Sequence, residues 1–422
     1  SVGAFEISVL DGGTVEGVMQ WLADNGYQQD PAAEPILAEY LEEEFLFVAL
    51  KLGVEAGVED VHPIVIRYEG VEPCVPIRLT RIAAAEDMDI RVFFLGDARV
   101  VPTNYRHVLV NPLKLDWLNN ASNYKEVISM AVDAQEADGN AFVTEYAGPS
   151  NVIPTWQIHQ QQWNATVFES FADSPVGVIE ELENQGLLLC DTEWDVNCTF
   201  NHPLLEGIIS DFIPVPDGVD ANLFYDCLSC YQDQIDLAAW DALLFAMQLE
   251  QRMFRPAQRA VDLINQNPYL TRMYTTISPA EMNADPMFKV NTTLPDVQAT
   301  QFATQINHCD GSATVRLPDG REVLFPDSTN MVWPDFGDEM PWEEDVEQEN
   351  MADNAPLVNL VDNTEEIDKL LAGHNTRTKA QIAGMGTGGC TCSIDEQDTR
   401  GGVALGLATL ALLGLVRRRR RD

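Results

Sequence analysis

Hydrophobic positions recur along the chain with two periods. Phe5 to Leu10 is an apolar run of strand length, closed by the turn cluster Asp11-Gly12-Gly13. The period then lengthens. Val15, Val18, Met19 and Leu22 fall at helical spacing, with Thr14 placed to cap a helix through about Asp24 and Gly26 to end it. Pro31 to Glu43 repeats the helical pattern. Phe45–Leu52, Ile64–Tyr68, Val75–Leu79 and Ile90–Leu95 are β-rich runs, and Val108–Val110 continues them. Ser122 is an N-cap for a helix through Glu136. Residues 1–155 therefore predict the α+β part of the body, a mixed sheet with packed helices.

From about Val167 the spacing is mostly helical, which predicts a helix-rich second part over residues 156–330. Asp173-Ser174-Pro175 opens a helix to about Asn184, with proline in its first turn. His202–Phe212 is another. Asp236–Met253 has Leu237, Trp240, Leu244 and Met247 on one face, and Pro256 interrupts it to begin a helix to about Gln266. Val315–Leu317, Pro318-Asp319-Gly320 and Val323–Phe325 spell a hairpin.

Charge changes the picture beyond that point. Glu322 to Asp368 holds 15 acidic residues and no Lys or Arg, and such a run repels itself. Gly384, Gly386, Gly388 and Gly389 follow with phosphate-loop spacing but no strand before them, so they read as a spacer. Residues 331–389 are expected to be a disordered acidic and glycine-rich stalk.

The 422 residues carry 25 Lys+Arg against 67 Asp+Glu, a net charge of −42. That excludes a nucleic-acid binder, which needs clustered cations against phosphate. Five of the cations are consecutive, Arg417, Arg418, Arg419, Arg420 and Arg421; without Arg417–Asp422 the balance is 20 basic against 66 acidic, or −46. Before them runs the uncharged 401–416 stretch, GGVALGLATLALLGLV. It is short for a span of about 20 residues, but Arg400 and Arg417 can snorkel from its ends. A transmembrane helix over 401–416, with the arginines on the cytoplasmic side, is the expectation.

Cys390 and Cys392 stand just upstream among small residues. A cysteine motif, a short apolar helix and a terminal arginine cluster, residues 390–422, together resemble the C-terminal sorting signal of myxobacterial surface proteins. The resemblance implies insertion in the inner membrane with the C-terminus in the cytoplasm, cleavage near Cys390 or Cys392 by a membrane-embedded sorting protease, and display at the cell surface or outer membrane with lipid on the cysteine. Ser1 is not a start methionine and no signal-peptide pattern follows it, so the chain is expected to be processed or cut from a longer precursor.

The other six cysteines, Cys74, Cys190, Cys198, Cys227, Cys230 and Cys309, are disulfide candidates in an exported chain. Six allow fifteen pairings. Cys190 and Cys198 flank a short loop and could bridge locally. Cys227-Leu-Ser-Cys230 is read as a structural bridge rather than a redox motif. His308-Cys309-Asp310 suggests a thiol and base only superficially, because neighbours on a chain rarely face one another.

The body resembles the bacterial domain-of-unknown-function family 2330. The residues are Trp21–Tyr27, Phe47–Leu52, Val75–Thr80, Val101–Tyr105, Tyr269–Thr276, Ser278–Met282 and Asp285–Phe288. The resemblance implies an exported protein and brings no catalytic residue. Physically, Gly26 suits a helix end, with Trp21 and Tyr27 packing the helix. Ser278-Pro279-Ala280-Glu281 has capping-box spacing, so Glu281 is read as a cap partner. Arg272 and Asp285 are expected to pair across that turn, with a carboxylate-binding Arg272 as the functional alternative.

One loop offers metal ligands. Asp191, Glu193, Asp195 and Asn197 alternate as in calcium loops, but the glycine and the bidentate glutamate of such loops are missing. A polar loop closed by two cysteines is the plainer account; calcium is the one cofactor it would take. The six histidines show no HExxH, and there is no GxSxG. The expected function is a non-enzymatic binding or envelope-associated ectodomain displayed at the surface, with an unknown ligand. The alternative is an exported hydrolase using paired carboxylates.

Overall fold

The structure, a computed structural model, describes residues 5–28, 30–53, 64–67, 70, 73–191, 196–350 and 352–384. It is α+β and divides into two compact units, each built from separated stretches: 1–106, 144–298 and 349–357 in the first, 107–143, 299–348 and 358–422 in the second. The division does not follow the linear boundaries at 155 and 330.

The first unit opens with β1 (Phe5–Leu10), α1 (Val15–Asp24), α2 (Ala33–Glu42) and β2 (Phe47–Leu52), then β3 (Met88–Gly96) and β4 (Val100–Pro102). The chain next forms β5 (Arg106–Val110), α3 (Tyr124–Val132) and β6 (Ala141–Pro149), which begins in the second unit and ends in the first. The first unit continues with α4 (Val178–Asn184), β7 (Leu188–Asp191), β8 (Asn197–Phe200), α5 (Leu205–Phe212), α6 (Ala221–Asp226), α7 (Ala242–Leu249), α8 (Arg255–Gln266), β9 (Tyr269–Ile277) and β10 (Phe288–Val290). The second unit holds β11 (Thr304–Asn307), β12 (Ala313–Arg316), β13 (Glu322–Phe325), β14 (Glu343–Gln348), β15 (Val358–Asp362) and α9 (Thr364–Gly384).

Local chemistry sets many of these boundaries. Thr14 Oγ1 accepts from Gly17 N at 3.2 Å and starts α1, and Gly26 leaves it at φ +78°. Trp21 and Tyr27 bring their rings to 5.8 Å across that end. β12 and β13 form the expected hairpin, with Gly320 at φ +93° in its turn. Ser174 Oγ accepts from Val176 N, and Pro175 lies in a 3₁₀ turn that runs into α4.

Four expectations about the elements need correction. Val75–Leu79 is not a strand: Arg78–Ile82 is a 3₁₀ helix. Ile77 N and Arg78 N bond a side chain, Asp285, instead of a neighbouring strand. Residues 64–67 carry no regular structure, and Tyr68 lies outside the described residues. The helix at 236–253 starts later, behind the cap from Asp241 to Leu244 N at 2.9 Å. Its inward face is Ala242, Phe245, Ala246 and Leu249, while Leu237, Leu244 and Met247 are exposed. Phe245 decides this by meeting Phe168, Phe212 and Trp240 at centroid distances of 5.5, 5.6 and 5.3 Å. Pro256 has no N–H and crowds the carbonyl four residues back, so α7 passes to α8 through a π turn at Glu250–Phe254 rather than stopping.

The largest correction concerns residues 331–384, expected as a disordered stalk. They fold into β14, β15 and α9 of the second unit. β14 pairs antiparallel with β15 on one side and β5 on the other. Apolar anchors are spaced through the acids: Met340, Ile367 and Leu371 bury in one core with Leu113, Val315, Val323 and Phe325. Trp333 Nε1 donates to Leu113 O at 2.8 Å. The repulsion is met by Arg321, just outside the run, which reaches Asp368 at 2.7 Å, Asp319 at 2.9 Å and Glu344 at 2.6 Å. Burial of these apolar side chains, with one cation shared among three acids, outweighs the charge density of the run.

Among the described residues no helix is long and apolar enough to cross a membrane. Residues 401–416, Arg417–Arg421, Cys390 and Cys392 lie outside the described residues. Arg321→Met should destabilise the second unit by about 2–3 kcal/mol, because a mostly buried cation leaves three acids behind. A urea titration should show the loss, and an unchanged midpoint would remove Arg321 from this role.

Candidate functional site

The densest polar cluster of the first unit is built on Asp285. Its Oδ1 accepts from Ile77 N at 2.7 Å, Arg78 N at 3.0 Å and the Tyr40 hydroxyl at 3.0 Å; its Oδ2 accepts from Arg78 Nε at 3.2 Å. The rest of the Arg78 guanidinium makes a two-pronged contact with Glu43, at 2.8 and 2.5 Å, and lies 4.2 Å over the Tyr40 ring. Arg78 and Asp285 are both buried. The last turn of α2 supplies Tyr40, Glu43 follows that helix, and the 3₁₀ turn supplies Arg78.

The segment carrying Asp285 is fixed on two sides. Val75 N donates to Pro286 O at 3.2 Å and Phe288 N to Pro73 O at 2.9 Å. Asn104 Nδ2 donates to Asp285 O and Met287 N to Asn104 Oδ1, both at 2.8 Å; Tyr105 Oη donates to Ala284 O at 2.8 Å. Four of the quoted motifs thus meet at one place: 75–80, 101–105 and 285–288 by hydrogen bonds, and 47–52 through Phe47, whose ring is 6.2 Å from Tyr40.

The electrostatics are those of a clamp. Hydrogen bonds from Arg78 hold the Glu43 carboxyl below its usual range. Burial first, then the hydrogen bond to Asp285, pushes the Tyr40 phenol up to about 12. Burial pushes the nearby Cys74 thiol up, so it is not an activated nucleophile. Glu43 and Asp285 both accept hydrogen bonds from this one cation.

Arg272 does not pair with Asp285. Its Nε lies 3.0 Å from Glu145 Oε2, because β9 points Arg272 across the sheet toward β6 while Asp285 is taken by Arg78. Glu281 does act as a cap: its Oε2 accepts from Ser278 N at 2.7 Å, in a turn rather than a helix. Cys190–Cys198 and Cys227–Cys230 are disulfides. Cys74 and Cys309, also expected to bridge, are not disulfide-bonded. His308 Nε2 contacts Thr314 Oγ1 at 2.8 Å, and Asp310 accepts from Ser312 N and Oγ, so turn bonding occupies both flanks of Cys309. Of the calcium candidates, Asp191 and Asn197 are cross-strand partners next to the Cys190–Cys198 pair. Glu193 and Asp195 lie outside the described residues. Among the described residues no group of three His, Cys, Asp or Glu is placed to hold a metal ion.

The motifs that converge on Asp285 are those that carry the family resemblance. Residues 1–161 match the family described as "Uncharacterized protein conserved in bacteria (DUF2330)". The DUF2330 match contains Tyr40, Glu43, Arg78, Asn104 and Tyr105, whereas Asp285 lies beyond it. No curated protein and no solved structure matches the chain.

Sequence reasoning singled out neither Arg78 nor its partners in α2. The signal was present: Arg78 is a cation inside the apolar run Val75–Leu79, and a buried cation requires an acid. Asp285→Ala should cost about 3 kcal/mol or more, since it leaves Arg78 buried against an empty position; chemical denaturation of the variant reads the loss. Tyr40 adds a pH dependence. Its folded pKa of about 12 exceeds the ordinary 10.0, so the unfolded chain ionises first and stability falls as pH rises from 10 through about 12. Tyr40→Phe should flatten that alkaline slope in a pH series of melts; an unchanged slope would assign it to other tyrosines.

Proposed function

We propose that the chain is an exported protein displayed at the bacterial cell surface, its folded body acting as a binding or envelope-associated ectodomain rather than an enzyme. The observation that carries this is the pair of disulfides in the first unit, Cys190–Cys198 and Cys227–Cys230. Disulfides persist in oxidising compartments and are rare in reducing cytoplasm. The acidic body supports it, because like charge keeps an exposed protein soluble. So does the order of cysteine pair, apolar stretch and arginine block over 390–422. On this reading the precursor sits in the inner membrane with Arg417–Arg421 in the cytoplasm. A sorting protease cuts near Cys390 or Cys392, and the product stays at the surface. The Asp191–Asn197 loop is its one candidate calcium site.

Three experiments test this reading. Protein taken from cells, alkylated without reductant and mapped by peptide, should carry label on Cys74 and Cys309 and none on Cys190, Cys198, Cys227 or Cys230. Label on all six would place the chain in a reducing compartment and sink the proposal. Replacing Cys390 by Ala should abolish surface display on fractionation, whereas unchanged display would defeat the sorting step. For calcium, a chelator would lower the melting midpoint if the Asp191–Asn197 loop is occupied, and coincident melts would remove the metal.

A further inference from the structure

One feature of the first unit runs against its acidity. β3 pairs with β9 over nine consecutive registers, Met88↔Ile277 to Gly96↔Tyr269, and among the described residues with no other strand. None of its nine residues is buried. It therefore offers an open edge about 30 Å long.

One face of this edge carries cations and rings in alternation. Asp89, Arg91 and Phe93 project on the same side, opposite Thr276, Tyr274 and Arg272. The Arg91 guanidinium lies 4.2 Å over the Tyr274 ring, and the Tyr274 hydroxyl donates to Asp89. Stacking fixes the plane of Arg91 while leaving its N–H groups available, and among the described residues it joins no ion pair. Directly opposite Arg272, Phe93 is 61% exposed. Arg272, whose Nε faces Glu145, keeps about a third of its side chain in solvent. Glu145 answers Arg272 and the Tyr274 hydroxyl donates to Asp89, so among the described residues Arg91 is the cation of this face that joins no ion pair, and it stands beside the exposed Phe93.

Natural edges are commonly protected by lysine, proline, bulges or short length. β3 is long and unbulged, and it exposes Phe93. We propose that this edge binds an extended acidic and apolar peptide segment by strand addition. The segment's backbone would pair with β3. A carboxylate of the segment would meet Arg91, and an apolar side chain two residues along would cover Phe93, since residues i and i+2 share a face. Charge complementarity selects the partner: Arg91, which joins no ion pair among the described residues, sits beside the apolar ring. The inference rests on the binding reading above and gives that reading a surface and a ligand chemistry.

The test uses the purified chain and a labelled peptide in which Glu and Val alternate at every second position with Thr between them, so that both share one face of the strand. A Lys–Val peptide and a Glu–Val peptide with a central proline serve as controls, all followed by fluorescence anisotropy. The expected result is saturable binding of the Glu–Val peptide alone, weakened at least 10-fold by Arg91→Glu and by Phe93→Ser. Phe93 is exposed, so the second variant keeps the fold, and a circular dichroism spectrum checks it. No binding, equal binding of the Lys–Val or proline peptide, or indifference to both substitutions would overturn the proposal. A concentration-dependent dimer abolished by Phe93→Ser would overturn it too, by assigning the edge to a second copy of the chain. Cell fractionation reads location and anisotropy reads affinity, so either can fail without the other.

Discussion

Asp285 supplies an acceptor that the N-terminal segments of the first unit close on. One carboxylate satisfies two backbone N–H groups, a phenol and a guanidinium from residues more than 200 positions earlier. Closing so long a loop carries an entropic cost that grows only slowly with length, so a single well-made cluster can hold it. The cluster must be complete, because burying Arg78 or Asp285 alone costs several times more than the pair returns. That asymmetry explains its saturation. Arg78 spends its remaining donors on Glu43 and its plane on Tyr40, and α2 is thereby tied to the 3₁₀ turn at 78–82. The same saturation makes it a poor place for catalysis, which needs a group free to gain or lose a proton.

The scarce cations follow a pattern. With 25 Lys and Arg for 67 acids, a cation is most effective where it serves several carboxylates at once. Arg321 meets Asp319, Glu344 and Asp368; Arg78 meets Glu43 and Asp285, with Glu39 at 3.7 Å. Lys289 lies 3.0 Å from the buried Glu349. The buried Arg78–Asp285 and Lys289–Glu349 contacts are shielded from salt, whereas the exposed acids are screened within about 10 Å at moderate ionic strength. Added salt therefore relieves the repulsion of the surface while leaving these two buried pairs in place.

Elements whose cause is local were legible in the sequence. The cap of α1, Gly26, the β12–β13 hairpin and the Glu281 cap are decided within a few residues, and each forms near its expected place. Elements decided by distant partners were not. Val75–Leu79 has strand composition, but Asp285 takes its N–H groups. The helical pattern at 236–253 is right in kind, yet Phe245 and not Leu244 sets the buried face, and only the rings it meets decide that. The acidic run misled for a further reason. Charge counts describe a chain in isolation, and they omit both the cation just before the run and the apolar residues within it.

The folded state of residues 331–384 alters how an anchored product would be held. A stalk of nearly sixty residues would let the body range far from a membrane. With α9 running to Gly384, only residues 385–389 separate the fold from Cys390. Fully extended, five residues span roughly 17 Å. Were the chain processed and lipidated there, the second unit would lie close against the headgroups, and its acids would meet the negative surface potential of an anionic leaflet. Repulsion at so short a chain separation would then favour orientations that turn the most acidic faces outward. The charge of the body would then set how it stands on the surface as well as whether it stays soluble.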